Sequence, residues 1–176
     1  GWQAWRVVDG RYRLDSASWG RYYTLAPVAV VDGAIEVTAT PLGQSSHEPP
    51  WACFGIVVKY RDAGNMVVVR FGAYNAVAVL QWRGGQRTID GLGELTATVG
   101  RAYHVRVQVQ GDRLSVFVDG AAMGEATIGL ASESGRVGLY TETPTAFDDF
   151  RVEGALESPG APVERIEGKP RAALQF

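Results

Sequence analysis

The strongest constraint on this chain is a stretch in which apolar and polar residues alternate strictly. Residues 103–110 (YHVRVQVQ) change character at every position, and a Gly-Asp turn at 111–112 leads into residues 114–118 (LSVFV). A period of two is typical of a β-strand that has one buried face and one solvated face. Gly-Asp and Asp-Gly pairs between such stretches favour tight hairpins. This part of the chain therefore predicts consecutive antiparallel strands.

The rest of the chain has the same organisation. Short alternating or apolar stretches are separated by turn-forming pairs such as Asp9-Gly10, Asp32-Gly33 and Gly84-Gly85. About twelve stretches have strand character, and none has a helical period longer than a single turn. We therefore predict an all-β fold, a two-sheet antiparallel β-sandwich of the jelly-roll type over residues 1–155. Residues 156–176 begin with a Pro- and Gly-containing break and are predicted to form a linker-like C-terminal extension.

Composition removes several classes of function. The 176 residues carry a formal net charge of −2, so the chain offers no electrostatic case for binding nucleic acid. No apolar run approaches the length of a membrane-spanning helix. Cys53 is the only cysteine, which excludes an internal disulfide and a cysteine-cluster metal site, and we expect it in a buried strand. Because the chain starts at Gly1 without a methionine, we expect a processed protein that is secreted or held in the cell envelope.

Four motifs in chain order suggest a known superfamily. They are residues 5–10 (WRVVDG), residues 55–65, the hairpin of residues 103–120, and residues 135–140 (GRVGLY) with 147–150 (FDDF). Together they resemble the concanavalin-A-like lectin/glucanase superfamily, above all its laminin-G-like and keto-disaccharide-hydrolase-like domains. The resemblance implies one concave and one convex sheet, with sugar bound on the concave face or in loops at its rim. It also implies a module appended to a larger glycan-degrading enzyme.

Sugar recognition combines aromatic rings, which stack on C–H faces, with planar polar groups, which hydrogen-bond to hydroxyls. If Val67 and Val69 face the core, Arg70 faces the open side. On the next strand we expect Leu80 and Trp82 to point inward. The predicted ligand-binding residues are Lys59, Arg61, Arg70, Gln81 and Arg83 on the concave sheet, with Tyr74, Trp51 and Trp19 in loops that also hold His47 and Asn75. Such an arginine-rich groove would favour acidic sugars or another carboxylate. The alternative is that these residues are ordinary solvated strand positions.

The same resemblance implies a structural calcium ion, with Asp148 and Asp149 at the position of its ligands. Adjacent strand residues point to opposite faces, so at most one of the two would face the ion directly, and loop carbonyls would complete the shell. The alternative is that both carboxylates bond to nearby N–H groups or arginines.

We predict no catalytic residues. The acidic residues are scattered at turns, whereas the glucanase members of the superfamily place their acids in a Glu-x-Asp-x-Glu run on one strand. The sequence therefore favours a carbohydrate-binding module that recognises a polysaccharide or oligosaccharide. Two alternatives stay open: a glycan-acting hydrolase or lyase of the same fold, and a laminin-G-like protein-interaction module, which would expose a large apolar patch.

Overall fold

A computed structural model describes residues 5–15 and 20–157, which form strands connected by short turns. One helical turn of the 3-10 type, Ala73–Asn75, is present in these ranges. The strands are β1 (Trp5–Val8), β2 (Arg11–Leu14), β3 (Tyr22–Val30), β4 (Gly33–Pro41), β5 (Phe54–Asp62), β6 (Asn65–Phe71), β7 (Ala76–Arg83), β8 (Gln86–Glu94), β9 (Tyr103–Gln110), β10 (Arg113–Val118), β11 (Ala121–Thr127), β12 (Gly135–Thr141), β13 (Thr145–Glu153) and β14 (Leu156–Glu157).

The strands form two seven-stranded sheets in which the neighbours are antiparallel. The first sheet has the order β1-β2-β13-β4-β9-β10-β11, and the second has the order β14-β3-β12-β5-β6-β7-β8. The predicted all-β sandwich is confirmed. Strand β3 was not predicted, because its sequence YYTLAPVAV is almost continuously apolar and contains a proline, which is uncommon inside a sheet.

The main core lies between the two sheets. Strand β9 contributes Tyr103, Val105, Val107 and Val109, which are all buried, so the alternation of this strand is confirmed. At one end of the core the rings of Trp5 and Tyr12 stack with their centroids 5.0 Å apart. Burial of these apolar side chains supplies most of the driving force for folding.

A second apolar cluster covers the side of the second sheet that faces away from the first sheet. We call this side the outer face. Its buried members are Leu25, Trp51, Cys53, Val57, Tyr60, Met66, Val68, Ala73, Ala78, Leu80, Trp82 and Tyr140. Antiparallel sheets commonly have one core face and one solvated, polar face. The central strands of the second sheet are apolar on both faces, so the outer face lacks the polar character of an ordinary solvated sheet face.

The structure bears on two more predictions, the C-terminal extension and the lack of a membrane-spanning helix. Strand β14 pairs with β3, and the remainder of the predicted C-terminal extension lies outside the described residues. Within residues 5–15 and 20–157, no helix is long and apolar enough to cross a membrane.

Candidate functional site

Arg70 lies on the outer face, near the end of β6. The register of the second sheet places Arg70 of β6 between Gly55 of β5 and Ala78 of β7. Tyr140 of β12 is opposite Gly55 on the other side. Cross-strand neighbours share one face of a sheet, so small residues flank the arginine and leave room for its side chain.

Arg70 is held by a carboxylate at the end of β12. Its Nη1 donates to Oε1 of Glu142 at 3.3 Å, and the hydroxyl of Tyr140 donates to the same oxygen at 2.5 Å. The side chains of Arg70 and Glu142 are only 8% and 13% exposed. Burial raises the pKa of Tyr140, and the Glu142 carboxylate raises it further, so the phenol stays protonated and remains a donor. The ion pair therefore has a fixed geometry.

An aromatic cluster adjoins this ion pair. The ring of Trp51 is 4.9 Å from that of His47 and 5.4 Å from that of Tyr74. The Arg70 guanidinium carbon is 5.5 Å from the centroid of the Tyr74 ring. Trp51 is buried, whereas Tyr74 is 65% exposed. Tyr74 therefore presents an open ring beside the arginine.

The backbone supports this presentation. Tyr74 has a φ of 55°, a left-handed conformation that is strained for a bulky residue and that is concentrated at functional sites. Ser45 orders the preceding loop, because its Oγ accepts from the backbone N–H groups of Trp51 at 3.2 Å and His47 at 3.4 Å. The loop and the helical turn thus hold the rings at the rim of the outer face.

Two buried donors in this cluster have no hydrogen-bond partner among the described residues. They are Nε1 of Trp51 and Nε of Arg70. A buried polar group without a partner costs about 1–3 kcal/mol, and each such group calls for an explanation. Two of them next to an exposed ring fit a site that receives a ligand with acceptor oxygens.

The other end of the outer face is also aromatic. The rings of Tyr23 and Tyr60 are 5.7 Å apart. The guanidinium carbons of Arg21 and Arg87 lie 5.7 Å and 6.0 Å from the ring centroid of Trp82. Neither arginine was predicted as a site residue, and neither were Tyr140 and Glu142. The sequence could have identified these four residues only if the side of the sheet on which each neighbouring strand residue lies had been known.

The predicted facing of β7 is wrong. Leu80 and Trp82 belong to the outer-face cluster, whereas Val77 and Val79 belong to the core between the sheets. Gln81 therefore points toward the first sheet, where its Nε2 donates to the Thr127 carbonyl oxygen at 2.9 Å and its Oε1 accepts from the Gly129 N–H at 3.0 Å. Arg83, two residues further on, lies beside Gly129. Gln81 and Arg83 therefore lie on the core side of β7, whereas Arg70 lies on the outer face. Both faces of β7 are apolar, and its larger side chains, Leu80 and Trp82, occupy the outer one.

The predicted facing of Lys59 and Arg61 is wrong as well. A bulge at Val58 places both Val58 and Lys59 on the core side of β5. The fully buried Lys59 ammonium donates to the carbonyl oxygens of residues 130, 131 and 133 at 2.9, 3.2 and 3.0 Å. Burial lowers the pKa of Lys59. Arg61 pairs with Glu133 in the same loop. These cations anchor a loop and do not line the outer face.

Of the predicted ligand-binding residues, the structure brings together Arg70, Tyr74 and Trp51, and it adds His47 from the predicted rim loop. Asn75, also predicted for the rim, follows Tyr74 in the same helical turn. Trp19 lies outside the described residues.

Asp148 and Asp149 lie at an irregularity in β13. Oδ1 of Asp148 accepts from the backbone N–H of Asp149 at 2.9 Å, and Asp149 is exposed with a left-handed φ of 52°. Within residues 5–15 and 20–157, no group of three or more His, Cys, Asp or Glu residues could hold a metal ion. Calcium also accepts carbonyl ligands, and a structural calcium at this pair stays a prediction.

Comparisons with known proteins give no family assignment from sequence. No family model matches the chain, and no curated protein matches it. Solved structures do match. The carbohydrate-binding module CBM66 from Bacillus subtilis is 18% identical with a TM-score of 0.71, over 86% of this chain and 91% of that one.

Two other structures are similar. A GH43 protein, BlXynB from Bacillus licheniformis, is 15% identical with a TM-score of 0.61, over 86% of this chain but only 34% of the longer protein. Chicken galectin 2 is 10% identical with a TM-score of 0.57, over 76% of this chain and all 100% of that one. These matches establish a concanavalin-A-like jelly-roll fold.

Proposed function

We propose that this chain is a carbohydrate-binding module that holds a polysaccharide or oligosaccharide against the outer face of its second sheet. The observation that carries the proposal is the cluster in which the exposed ring of Tyr74 lies beside two buried donors without partners, on Trp51 and Arg70. A carbohydrate-binding module and a galectin are among the proteins with a similar fold, which supports the same function.

The chemistry of the cluster fits a sugar. A pyranose can stack its apolar C–H face on the exposed ring of Tyr74. Hydroxyl and ring oxygens of the sugar can accept from the Trp51 indole N–H and from Nε of Arg70 once the side chains that bury these donors move aside. Glu142 keeps the guanidinium in place through its bond to Nη1. Aromatic stacking supplies the affinity, and the fixed donors select the orientation of the ring.

Binding suits the cluster better than glycoside hydrolysis does. Glycosidases use a pair of carboxyl groups on either side of the scissile bond. Among the described residues, Glu142 is the carboxylate that contacts Arg70 and Tyr140, and it is already engaged by both. Because the Glu142 carboxylate already accepts from Arg70 and Tyr140, its role is to position the arginine.

We further propose that the module works beside a catalytic domain for polysaccharide degradation, outside the cytoplasm. The similar region of the GH43 protein makes up only 34% of that chain, which supports an accessory role for domains of this shape. Secretion fits a protein whose ligand is an extracellular polymer.

The proposed site is tested by truncating the exposed ring. In affinity electrophoresis and isothermal titration calorimetry against a polysaccharide panel, Tyr74→Ala should weaken binding about tenfold, equivalent to about 1.4 kcal/mol. Tyr74→Phe keeps the ring and should bind like the unmodified chain. Val7→Ala, an exposed position on the first sheet, is the distal control. Failure to bind any polysaccharide, or full binding by Tyr74→Ala, would contradict the proposal.

A further inference from the structure

One row of cross-strand neighbours crosses the outer face at the end away from Tyr74. In strand order the row is Arg136, Tyr60, Met66, Trp82 and Arg87. Its three central members belong to the outer-face cluster. Because directly opposed residues share a face, Arg136 and Arg87 project on the same side. The row therefore has an arginine at each end and an apolar, aromatic floor.

A third arginine reaches the same row. Arg21, just before β3, is exposed, and its guanidinium carbon lies 5.7 Å from the ring centroid of Trp82. Arg87 approaches the same ring at 6.0 Å. Contact with an indole offsets part of the repulsion between two nearby guanidinium groups. Trp82 therefore positions two cations.

Among the described residues, these three arginines form no ion pair with a carboxylate, and the same holds for Arg11, Arg83 and Arg151, which do not belong to the row. Elsewhere in those ranges, carboxylates pair with Arg6, Arg13, Arg61, Arg70, Arg101, Arg106 and Arg113. In addition, Nη1 of Arg136 is buried without a hydrogen-bond partner. Gathered like charges and an unpartnered buried donor are unfavourable unless an anion joins them.

Among the described residues, no ion pair joins a carboxylate to this group. Glu142 is bound to Arg70 and Tyr140, and Glu94 is opposite Ala76 at the margin of the sheet. The whole chain is nevertheless acidic, with a formal charge of −2. Positive charge is thus concentrated on the outer face of a chain that has a negative total.

We infer that the ligand of the outer face is an anionic glycan, whose carboxylate or sulfate groups are held by Arg21, Arg87 and Arg136. This inference rests on the proposed carbohydrate-binding function. The planar guanidinium group can form two parallel hydrogen bonds to such an oxyanion.

The ligand spans more than one sugar unit. Arg70 and Met66 are four residues apart on β6, a separation of about 13 Å. One pyranose ring on Tyr74 cannot also reach the arginines of the row. An oligomer lying along β6 and β7 places a ring at the Tyr74 end and an acidic group at the Trp82 end.

Matched polymers test the inference in the full chain. Calorimetry compares each of three uronate polymers (polygalacturonate, alginate and hyaluronate) with its carboxyl-reduced form, and dextran sulfate with dextran. At least one charged polymer should bind about tenfold more tightly than its neutral counterpart. This preference should shrink between about 50 mM and about 500 mM salt because the charges are exposed and screened. Whether the uronates or dextran sulfate show the preference identifies the oxyanion.

Substitutions test whether the arginines of the row cause the preference for charged polymers. The double substitution Arg21→Gln and Arg87→Gln should remove the preference for the charged polymer. Arg113→Gln removes an exposed arginine from β10 of the first sheet, where it pairs with Glu125 of β11, and should keep the preference.

Three results would overturn the inference. Equal affinity for the charged and neutral member of every pair would leave a neutral-sugar site, and the proposed function would stand without this inference. Equally tight binding of polyphosphate, which has no sugar ring, would show attraction by charge alone. Failure to bind any polysaccharide would remove the proposed function together with the inference.

Discussion

Glu142 accepts hydrogen bonds from two side chains that reach it from different strands, Arg70 from β6 and Tyr140 from β12, which ends at Thr141. A mostly buried ion pair adds little net stability, because desolvation offsets the attraction. Removal of one partner is costly, since the other charge then remains buried and uncompensated. This residue therefore tests whether Glu142 holds Arg70 at the Tyr74 end of the outer face.

Glu142→Gln should lower the free energy of unfolding by about 2 kcal/mol, because the buried Arg70 guanidinium loses its counter-charge. Guanidinium chloride titration followed by circular dichroism measures the change. Glu125→Gln is the matched control, since Glu125 pairs with Arg113 at an exposed position and should change stability by less than about 0.5 kcal/mol. Equal effects of the two substitutions would show that Arg70 does not depend on Glu142.

At the scale of elements, the close approach of β3 and β12 depends on one glycine. A Cβ atom at Gly138 would lie 1.9 Å from the backbone carbonyl oxygen of Thr24 in β3. Gly138 is opposite Leu25 on one side and Val57 on the other. The backbone of β3 leaves no space for a side chain at this position.

Gly138→Ala should therefore destabilise the protein by about 3 kcal/mol, because backbone has to move to admit the methyl group. The control is Gly91→Ala in β8, where no atom lies within 4 Å of the added Cβ. That substitution should be neutral or slightly stabilising, since alanine loses less backbone entropy than glycine on folding. Thermal denaturation of both variants provides the comparison. Equal melting temperatures would mean that β12 can shift at little cost.

At the scale of the whole molecule, the two sheets share one core, and a second cluster lies on the outer face. Cys53 belongs to that second cluster and is fully buried. Its backbone groups bond to Thr141 and Thr143, and burial raises the pKa of its thiol. The thiol therefore reports on any opening that exposes the outer-face cluster.

We expect the Cys53 thiol of the native protein to react with an aromatic disulfide reagent at about pH 8 only when the structure opens. Its labelling as a function of denaturant should then follow the loss of tryptophan fluorescence, as in two-state unfolding. The chain in concentrated guanidinium chloride, which should react at once, is the control. Rapid labelling without denaturant would show that the outer-face cluster opens independently of the core.

The sequence by itself determined the class of fold and much of the order of strands. Alternation over β9 and β10 and the turn between them are local properties, so they could be recognised without any partner. The sequence also identified Arg70, Tyr74 and Trp51, which the structure brings together.

Only the tertiary structure decided which face each residue of the second sheet occupies. Strands β5 to β7 are apolar on both sides, so a period of two could not tell the core from the outer face, and the bulge at Val58 shifted the pattern by one position. For this reason Lys59, Arg61, Gln81 and Arg83 were placed on the wrong side. Arg21, Arg87 and Arg136 are far apart in sequence and meet the same row only because strand pairing brings them there.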